Sequence, residues 1–428
     1  MKKMGIGLMG FGVVGQGVWQ VLKKNNTLIS QNAGVSLEVK KILVRDPEKY
    51  KNMQDAGPLF TTRWEDVIED DSIHTVIELM GGTGTARRSM MAAMDAGKHV
   101  VTANKALLAL HGAELTAHAR EKGVQLRYEA SVAGGIPVLH AIRESLSANR
   151  LESIMGIVNG TTNYILSRMT QEGITFETAL HEAQKKGYAE ADPTADVEAF
   201  DAAHKLTILA SLGFGAGVTF QQVYREGIQS MTPVDIEYAR ELGYTIKLLA
   251  IARVINGGIE LRVHPTMVPS GHPLAAVQDA YNAVYVKGNA VGELMFYGKG
   301  AGDLPTASAV LADVINVARN WDHPNAPSYP MDASDEHLVV QSMEDTMTAF
   351  YVRLLVKDVP GVLGRIATTF GSKGVSLLSV IQKGDEDPVS LVFVTHRTKE
   401  SALQQAVEDI QSVDELVRVA SIIRVEDI

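Results

Sequence analysis

The 428 residues include no cysteine. Disulfides, thiolate-bound zinc and a cysteine nucleophile are therefore excluded, and so is any aldehyde oxidation that runs through a thioester. Redox chemistry in such a chain has to be direct hydride transfer with acid–base help. Positive charge is also short. Forty Lys and Arg face 50 Asp and Glu, a formal charge of −10, which argues against a nucleic-acid partner because phosphate contacts need a basic face. No apolar run reaches the ~18 residues of a bilayer span, so no membrane partner is expected. Met1-Lys2-Lys3 followed by apolar residues has the look of a secretion signal. However, glycines at 5, 7, 10, 12, 15 and 17 break any continuous apolar helix there and no small-residue cleavage pattern follows. The segment reads as a strand and a turn, and a cytoplasmic protein is expected.

The length implies roughly two to four domains. An apolar fraction of 46% with 21% charged residues is that of a globular protein. Strands are expected at 4–9, 37–44, 75–79 and 99–102, with helices at 14–24 and 90–96. That alternation predicts an α/β fold with a Rossmann-like parallel sheet and right-handed crossovers over residues 1–130, completed by a helix at 303–320. Residues 131–302 read as an α+β domain that carries catalysis and dimerisation. Within it are a turn-rich loop at 129–137, a helix at 138–146, a strand near 154–158 and a polar cluster at 159–163 that precedes a helix from Tyr164. Further helices are expected at 176–186 and 197–212, strands at 259–268 and 282–287, and a second glycine-rich loop at 298–302. A linker is expected over 321–349, with a short strand at 338–340. The tail, 350–428, alternates as βαββαβ, a ferredoxin-like module.

Gly10-Phe11-Gly12-Val13-Val14-Gly15 follows the first strand and opens the first helix. This is the context in which GxGxxG cradles a dinucleotide. Gly10 permits the tight turn, Gly12 lets the backbone approach the pyrophosphate, and Gly15 allows close helix–strand packing. The helix N-terminus offers free N–H groups to the phosphates, to which Val13 and Val14 contribute. The second strand ends at Arg45-Asp46. An arginine there accommodates the extra phosphate of NADP, whereas an acidic residue would bond the ribose of NAD. Arg45 favours NADP, and Asp46 keeps NAD open.

The most informative stretch runs from Ala183 through Gly187-Tyr188-Ala189-Glu190-Ala191-Asp192-Pro193 to Asp201 and Lys205. Gly187 ends one helix and Pro193 to Asp196 begins the next. Asp201 and Lys205 are i, i+4 neighbours on a largely apolar helix. Burial would lower the lysine pKa and make it a usable base near neutrality, an effect that Asp201 opposes. On a surface the same pair would contribute only ~0.3–0.5 kcal/mol.

This stretch resembles the signature of the homoserine dehydrogenases. The resemblance extends to Thr102-Ala103-Asn104-Lys105, residues 129–137, Asn159 to Leu166, and Gly300 to Asp313, and it covers the whole chain. One departure is Ala199, where the family usually has glycine; it should reduce backbone freedom within the helix. The resemblance implies interconversion of L-homoserine and L-aspartate 4-semialdehyde with NADP or NAD, in threonine and methionine biosynthesis. It implies that Lys205 is the proton donor and acceptor, and that Lys105 lies close to both nicotinamide and substrate. Glu190 and Asp201 would hold the substrate ammonium, with Gly187, Tyr188 and Thr161 in the substrate site; Thr161 and Thr162 are alternatively helix caps. Gly302 would return to the cofactor. Glu129 and the carbonyls of Val132, Gly134 and Ile136 would bind a monovalent cation such as sodium, which oxygen-only ligation suits. A homodimer or homotetramer is implied as well.

Asp358-Val359-Pro360-Gly361 resembles the opening of an ACT domain, a regulatory module. Its helix N-terminus can receive a ligand carboxylate and Asp358 the ammonium, and threonine is the implied effector. A purely structural module remains an alternative for the tail. For the whole chain, so do another amino-acid or hydroxy-acid dehydrogenase of the same fold and an inactive amino-acid and nucleotide sensor. Lys105, Lys205, Asp201 and Glu190 together argue against the last.

Overall fold

The computed structural model describes residues 2–53, 56–321, 331, 338–383 and 388–426. It divides into two compact units. The first comprises Met1–Ile154, Ala203–Val223 and Asn282–Leu338, the second Met155–Ala202, Tyr224–Tyr281 and Val339–Ile428. Of the linker expected over 321–349, residues 322–330 and 332–337 lie outside the described residues.

The first unit holds a six-stranded sheet of β1 (Lys3–Met9), β2 (Ser36–Leu43), β3 (Phe60–Thr61), β4 (Ile73–Glu78), β5 (His99–Thr102) and β6 (Leu126–Arg127). All neighbours are parallel, in the order β3-β2-β1-β4-β5-β6. β1 is buried on both faces from Met4 onward, which is why its sequence is a continuous apolar run rather than an alternation. Parallel neighbours require crossovers, supplied here by α1 (Val13–Lys24), α2 (Asn26–Ala33), α3 (Glu65–Ile68), α4 (Gly84–Asp95) and α5 (Lys105–Glu121). Beyond β6 come α6 (Val138–His140), which widens into a π turn over Ala141–Ser145, the strands β11 (Tyr281–Gly288) and β12 (Gly292–Lys299), and α12 (Asp303–Arg319). Val310, Val314 and Val317 of α12 share a core with Val18 and Leu22 of α1 and Ile6 and Leu8 of β1. The two helices approach so closely that a Cβ on Gly17 would lie 2.6 Å from the Asp303 carbonyl oxygen.

β7 (Leu151–Ile157) and α10 (Phe200–Phe214) run from one unit into the other. The second unit adds α7 (Gly160–Glu172), α8 (Phe176–Lys185), α9 (Thr194–Val197), β8 (Tyr224–Arg225), α11 (Pro233–Glu241), and the long hairpin of β9 (Tyr244–Ile255) and β10 (Gly258–Pro269). Asn256 and Gly257 both have positive φ, the requirement of the tight turn between twisted strands. The tail is β14 (Met347–Val356), α13 (Val362–Ser372), β15 (Leu377–Lys383), β16 (Val389–Thr395), α14 (Glu400–Ile410) and β18 (Leu416–Val425), with the small pieces β13 (Val339–Val340) and β17 (Thr398–Lys399). This is the expected βαββαβ order, around a core of Phe350, Val352, Ile366, Phe370, Phe393 and Leu403. Its last strand continues the sheet of the β9–β10 hairpin: β18 pairs in parallel with β10 at Thr266 and Met267, giving the run β9-β10-β18-β14-β16-β15. The Arg353 guanidinium holds the fully buried Asp235 carboxylate of α11 at 2.7 and 3.1 Å, and the Tyr351 hydroxyl donates to it at 3.0 Å.

Three local expectations need correction. The polar cluster 159–163 is not a loop ahead of the helix. Asn159 caps α7, so Gly160 to Asn163 form its first turn, and neither Thr161 nor Thr162 is the cap. The helix expected over 138–146 keeps α geometry only to His140. The helix expected over 197–212 is broken at Ala199, which is fully buried with φ +65° between α9 and α10. A Cβ in that left-handed region crowds the following carbonyl. Ala199→Gly is expected to stabilise the chain by a net ~0.5–1 kcal/mol, the relieved strain being partly offset by the greater freedom of unfolded glycine. A lower urea midpoint for the variant would contradict this.

Candidate active site

The carboxyl ends of β1, β2 and β4 border an open cavity of about 750 Å³. Gly10 turns the chain with φ +103° and stands against the Leu79 carbonyl, where a Cβ would lie 2.6 Å from the oxygen. A Cβ on Gly15 would lie 2.4 Å from the Gly10 carbonyl oxygen. At Gly12 there is open space instead, and it caps α1 without a side-chain bond, leaving the helix end to whatever enters the cavity. Val13 and Val14 form the first turn, Val13 strongly exposed. Phe11 lines the cavity, but its ring is nearly buried, edge-on to Tyr50 and Phe60 at 5.2 and 5.4 Å.

Arg45 and Asp46 both line the cavity and are exposed. The Asp46 carboxylate already accepts the Glu48 N–H at 3.0 Å, capping the turn Pro47–Tyr50. That turn adds Lys49 to the residues that line the cavity, a cation that no motif marked. Trp64, Met80, Gly81 and Thr85 complete the far wall. Lys105 is the first residue of α5, capped by Asn104, whose side chain accepts the Leu107 N–H at 3.2 Å.

In the second unit the network centres on Asn159. Its Oδ1 accepts the Thr162 N–H at 2.8 Å, while its Nδ2 donates to Asp196 at 2.6 Å and to Asp201 at 2.9 Å. Thr161 donates to the Tyr188 carbonyl at 2.7 Å, joining α7 to the turn after α8. There Gly187 takes φ +77° and Gly187, Tyr188 and Glu190 are exposed. The Tyr188 ring lies 4.9 Å from that of Tyr164. Lys247, almost fully buried on β9, donates to Asn163 at 3.1 Å and to the Val277 carbonyl, and burial pulls its pKa down to about 8. Nothing in the sequence pattern separated it from an ordinary strand lysine. On α10, Asp201 is 5% and Lys205 8% exposed, so the surface-pair reading of these two residues does not hold.

The loop 129–137 and the second glycine loop are brought together in the first unit. Gly134, φ +49°, lies so close to Gly300 that a Cβ would stand 2.4 Å from its carbonyl oxygen, and the Gly135 N–H donates to Lys299 at 3.1 Å. Gly302 takes φ +129° where α12 begins. The Glu129 carboxylate accepts the Leu139 and His140 N–H groups at 2.9 and 2.6 Å, and its own N–H donates to Asp313 at 2.7 Å. The Ile136 carbonyl accepts the Val138 N–H. Burial pushes the Glu129 carboxyl up to about 7 against those donors; burial and the Glu129 charge push Asp313 well above the carboxylate range. Glu129 and Asp313 are both buried acids, and oxygen donors of that kind would suit a hard cation.

A parallel sheet in this strand order, with a glycine turn and a cavity at its carboxyl edge, defines a dinucleotide-binding α/β protein. Three family descriptions match the chain: "Homoserine dehydrogenase, NAD binding domain" over residues 10–129, "Homoserine dehydrogenase" over 137–315, and "ACT domain" over 350–415. The chain belongs to the homoserine dehydrogenase family. It is 45% identical to the homoserine dehydrogenase of Pseudomonas aeruginosa and 41% to that of Bacillus subtilis, covering 100% of this chain in both cases and 100% and 99% of the relatives. A crystal structure of a homoserine dehydrogenase from Thiobacillus denitrificans superposes with a TM-score of 0.95 at 45% identity, covering 100% of this chain and 99% of that one. A hyperthermophilic archaeal homoserine dehydrogenase in complex with NADPH gives a TM-score of 0.63 at 26% identity, over 76% of this chain and 99% of that one. Among the described residues no helix is long and apolar enough to cross a membrane.

Proposed function

We propose that Lys205 is the proton donor and acceptor in the interconversion of L-aspartate 4-semialdehyde and L-homoserine, with NADP as the preferred cofactor. The observation that carries this reading is the burial of Lys205 beside an otherwise apolar run on α10. When bound, the nicotinamide supplies the hydride. Lys205 gives a proton from Nζ to the carbonyl oxygen as the aldehyde carbon gains hydride, and in reverse its neutral amine accepts the hydroxyl proton. Lys105 orients substrate and nicotinamide. Asp201 and Glu190 hold the substrate ammonium, and Gly187, Tyr188 and Thr161 shape the surrounding turn, which the Thr161 bond ties to α7.

Gly10, Phe11, Gly12, Val13 and Val14 hold the pyrophosphate, with Gly302 on the cofactor side as well. The NADP preference rests on Arg45 with Lys49 at the cavity and on an Asp46 carboxylate engaged as a cap. Glu129 and the Val132, Gly134 and Ile136 carbonyls hold a monovalent cation, probed best with sodium. The residues fit one because the Glu129 and Asp313 carboxyls are both buried, which is costly for an anion without a compensating charge. Threonine is the proposed effector, its carboxylate at Gly361, which starts α13 with φ +94° and no side-chain cap, and its ammonium at Asp358. A cytoplasmic homo-oligomer in threonine and methionine biosynthesis follows from the same reading. So does a division into nucleotide-binding, catalytic and ACT regulatory domains.

Glu190→Gln is expected to raise the homoserine KM about tenfold, the loss of one charge-assisted bond. The affinity for NADPH, measured by fluorescence, is expected to stay unchanged. An unchanged KM would remove Glu190 from ammonium binding.

A further inference from the structure

At the carboxyl end of β4 lies a carboxylate that the reaction as described does not use. Glu78 is fully buried and closes a strand that is buried at every position but His74. Its Oε1 accepts the N–H groups of Met80 and Gly81 at 2.8 and 3.3 Å, two residues that wall the nucleotide cavity. Its Oε2 accepts the hydroxyl of Thr102, on the neighbouring strand β5, at 2.7 Å. The Thr102 oxygen in turn accepts the Asn104 N–H at 3.0 Å. Asn104 caps α5 through Leu107 and donates its Nδ2 to the Gly82 carbonyl at 2.7 Å. A closed ring of hydrogen bonds therefore joins the turn after β4, the turn after β5 and the N-terminus of α5, whose first residue is Lys105.

We infer that Glu78 is a positioning residue for hydride transfer, holding the Met80–Gly81 wall of the cavity with one oxygen and, through Thr102 and Asn104, the starting point of Lys105 with the other. The inference rests on the reading of Lys105 given above. Its physical basis is that a fully buried carboxylate is retained only where hydrogen bonds satisfy both oxygens. Here the donors come from the two turns that bracket the carboxyl edge of adjacent strands, where ligands of this fold bind. One carboxylate spans the two turns, accepting from the first with Oε1 and from Thr102 with Oε2.

The test is a double-mutant cycle on the full chain, with NADPH affinity read by quenching of tryptophan fluorescence, since Trp64 borders the cavity. Thr102→Val removes the hydroxyl link without changing side-chain volume much, and is expected to lower kcat about tenfold while NADPH affinity stays within about twofold. Combined with Lys105→Ala, it is expected to lower kcat no further than Lys105→Ala alone, because residues acting through one another are not additive. Glu78→Gln is expected to keep kcat within about threefold of wild type. Its amide oxygen can take both N–H groups and its amide nitrogen can donate to Thr102. Glu78→Ala is expected to lose at least tenfold in both kcat and NADPH affinity. Additive losses in Thr102→Val and Lys105→Ala would overturn the inference while leaving Lys105 in the mechanism. An unchanged kcat in Lys105→Ala would overturn the reading of Lys105 and the inference with it. A loss in Glu78→Gln as deep as in Glu78→Ala would show that charge, not position, is what Glu78 contributes, and would also overturn it.

Discussion

Lys205→Ala is expected to lower kcat for homoserine oxidation by roughly 10²–10⁴-fold, the range that a positioned general acid or base supplies. NADPH affinity is expected to hold, because the phosphate-binding turn at Gly10 to Gly12 and the cations Arg45 and Lys49 are untouched. Two replacements separate proton transfer from charge. Lys205→Arg keeps a cation, but a guanidinium does not deprotonate near neutrality, so it is expected to be nearly as inactive as alanine. Lys205→Met keeps much of the volume on a helix whose neighbours Leu206, Ile208 and Leu209 are all buried, and so preserves packing while removing the proton. If Lys205→Arg restored activity, the role would be electrostatic, and the proton donor would have to be sought elsewhere.

Asp235→Ala is expected to cost about 3–5 kcal/mol, the penalty for leaving a buried partner uncompensated. Asp235 is fully buried and Arg353 nearly so. Removing the carboxylate strips the Arg353 guanidinium of two bonds and the Tyr351 hydroxyl of its acceptor. Thr232 alone, at 3.2 Å, does not replace them. Replacing both members, Asp235→Leu with Arg353→Met, is expected to recover most of the loss, since a buried ion pair and a packed apolar pair of like volume are often close in free energy. Urea denaturation followed by tryptophan fluorescence and circular dichroism measures both variants. A loss below about 1 kcal/mol in Asp235→Ala would mean that the ion pair is not what fastens β14 to α11.

Much of the first unit was legible because β1 and β5 are short, mainly apolar runs with turn signals after them, and because the glycines at 10, 12 and 15 fall where strand meets helix. The same logic failed for β9. Tyr244–Ile255 is buried through most of its length on both faces, so it carries no alternation to distinguish strand from helix. Helix α5 was hidden by Gly112, a residue that lowers helix propensity. In the structure that glycine faces the Met331 side chain, whose sulfur would lie 2.5 Å from a Cβ there. At the site, Lys205 and Asp201 stood out through the long motif around them, but their burial did not follow from it. Glu78 and Lys49 lay outside any motif. The signal for Glu78 was present as an acidic side chain within the strand expected at 75–79, and its meaning depended on Thr102 and Asn104, which only the adjacent strand brings near. The break at Ala199 was masked because alanine is the best helix former, while the backbone there is set by packing rather than by propensity.

The most direct measurement is the initial rate at which the full folded chain reduces NADP with L-homoserine, followed by the absorbance of the reduced nicotinamide, with NAD and with L-malate as parallel controls. Saturable turnover with L-homoserine is expected, with a higher kcat/KM for NADP than for NAD, and no turnover with L-malate. Absence of turnover with L-homoserine and either cofactor, or equal turnover of L-malate, would contradict this expectation.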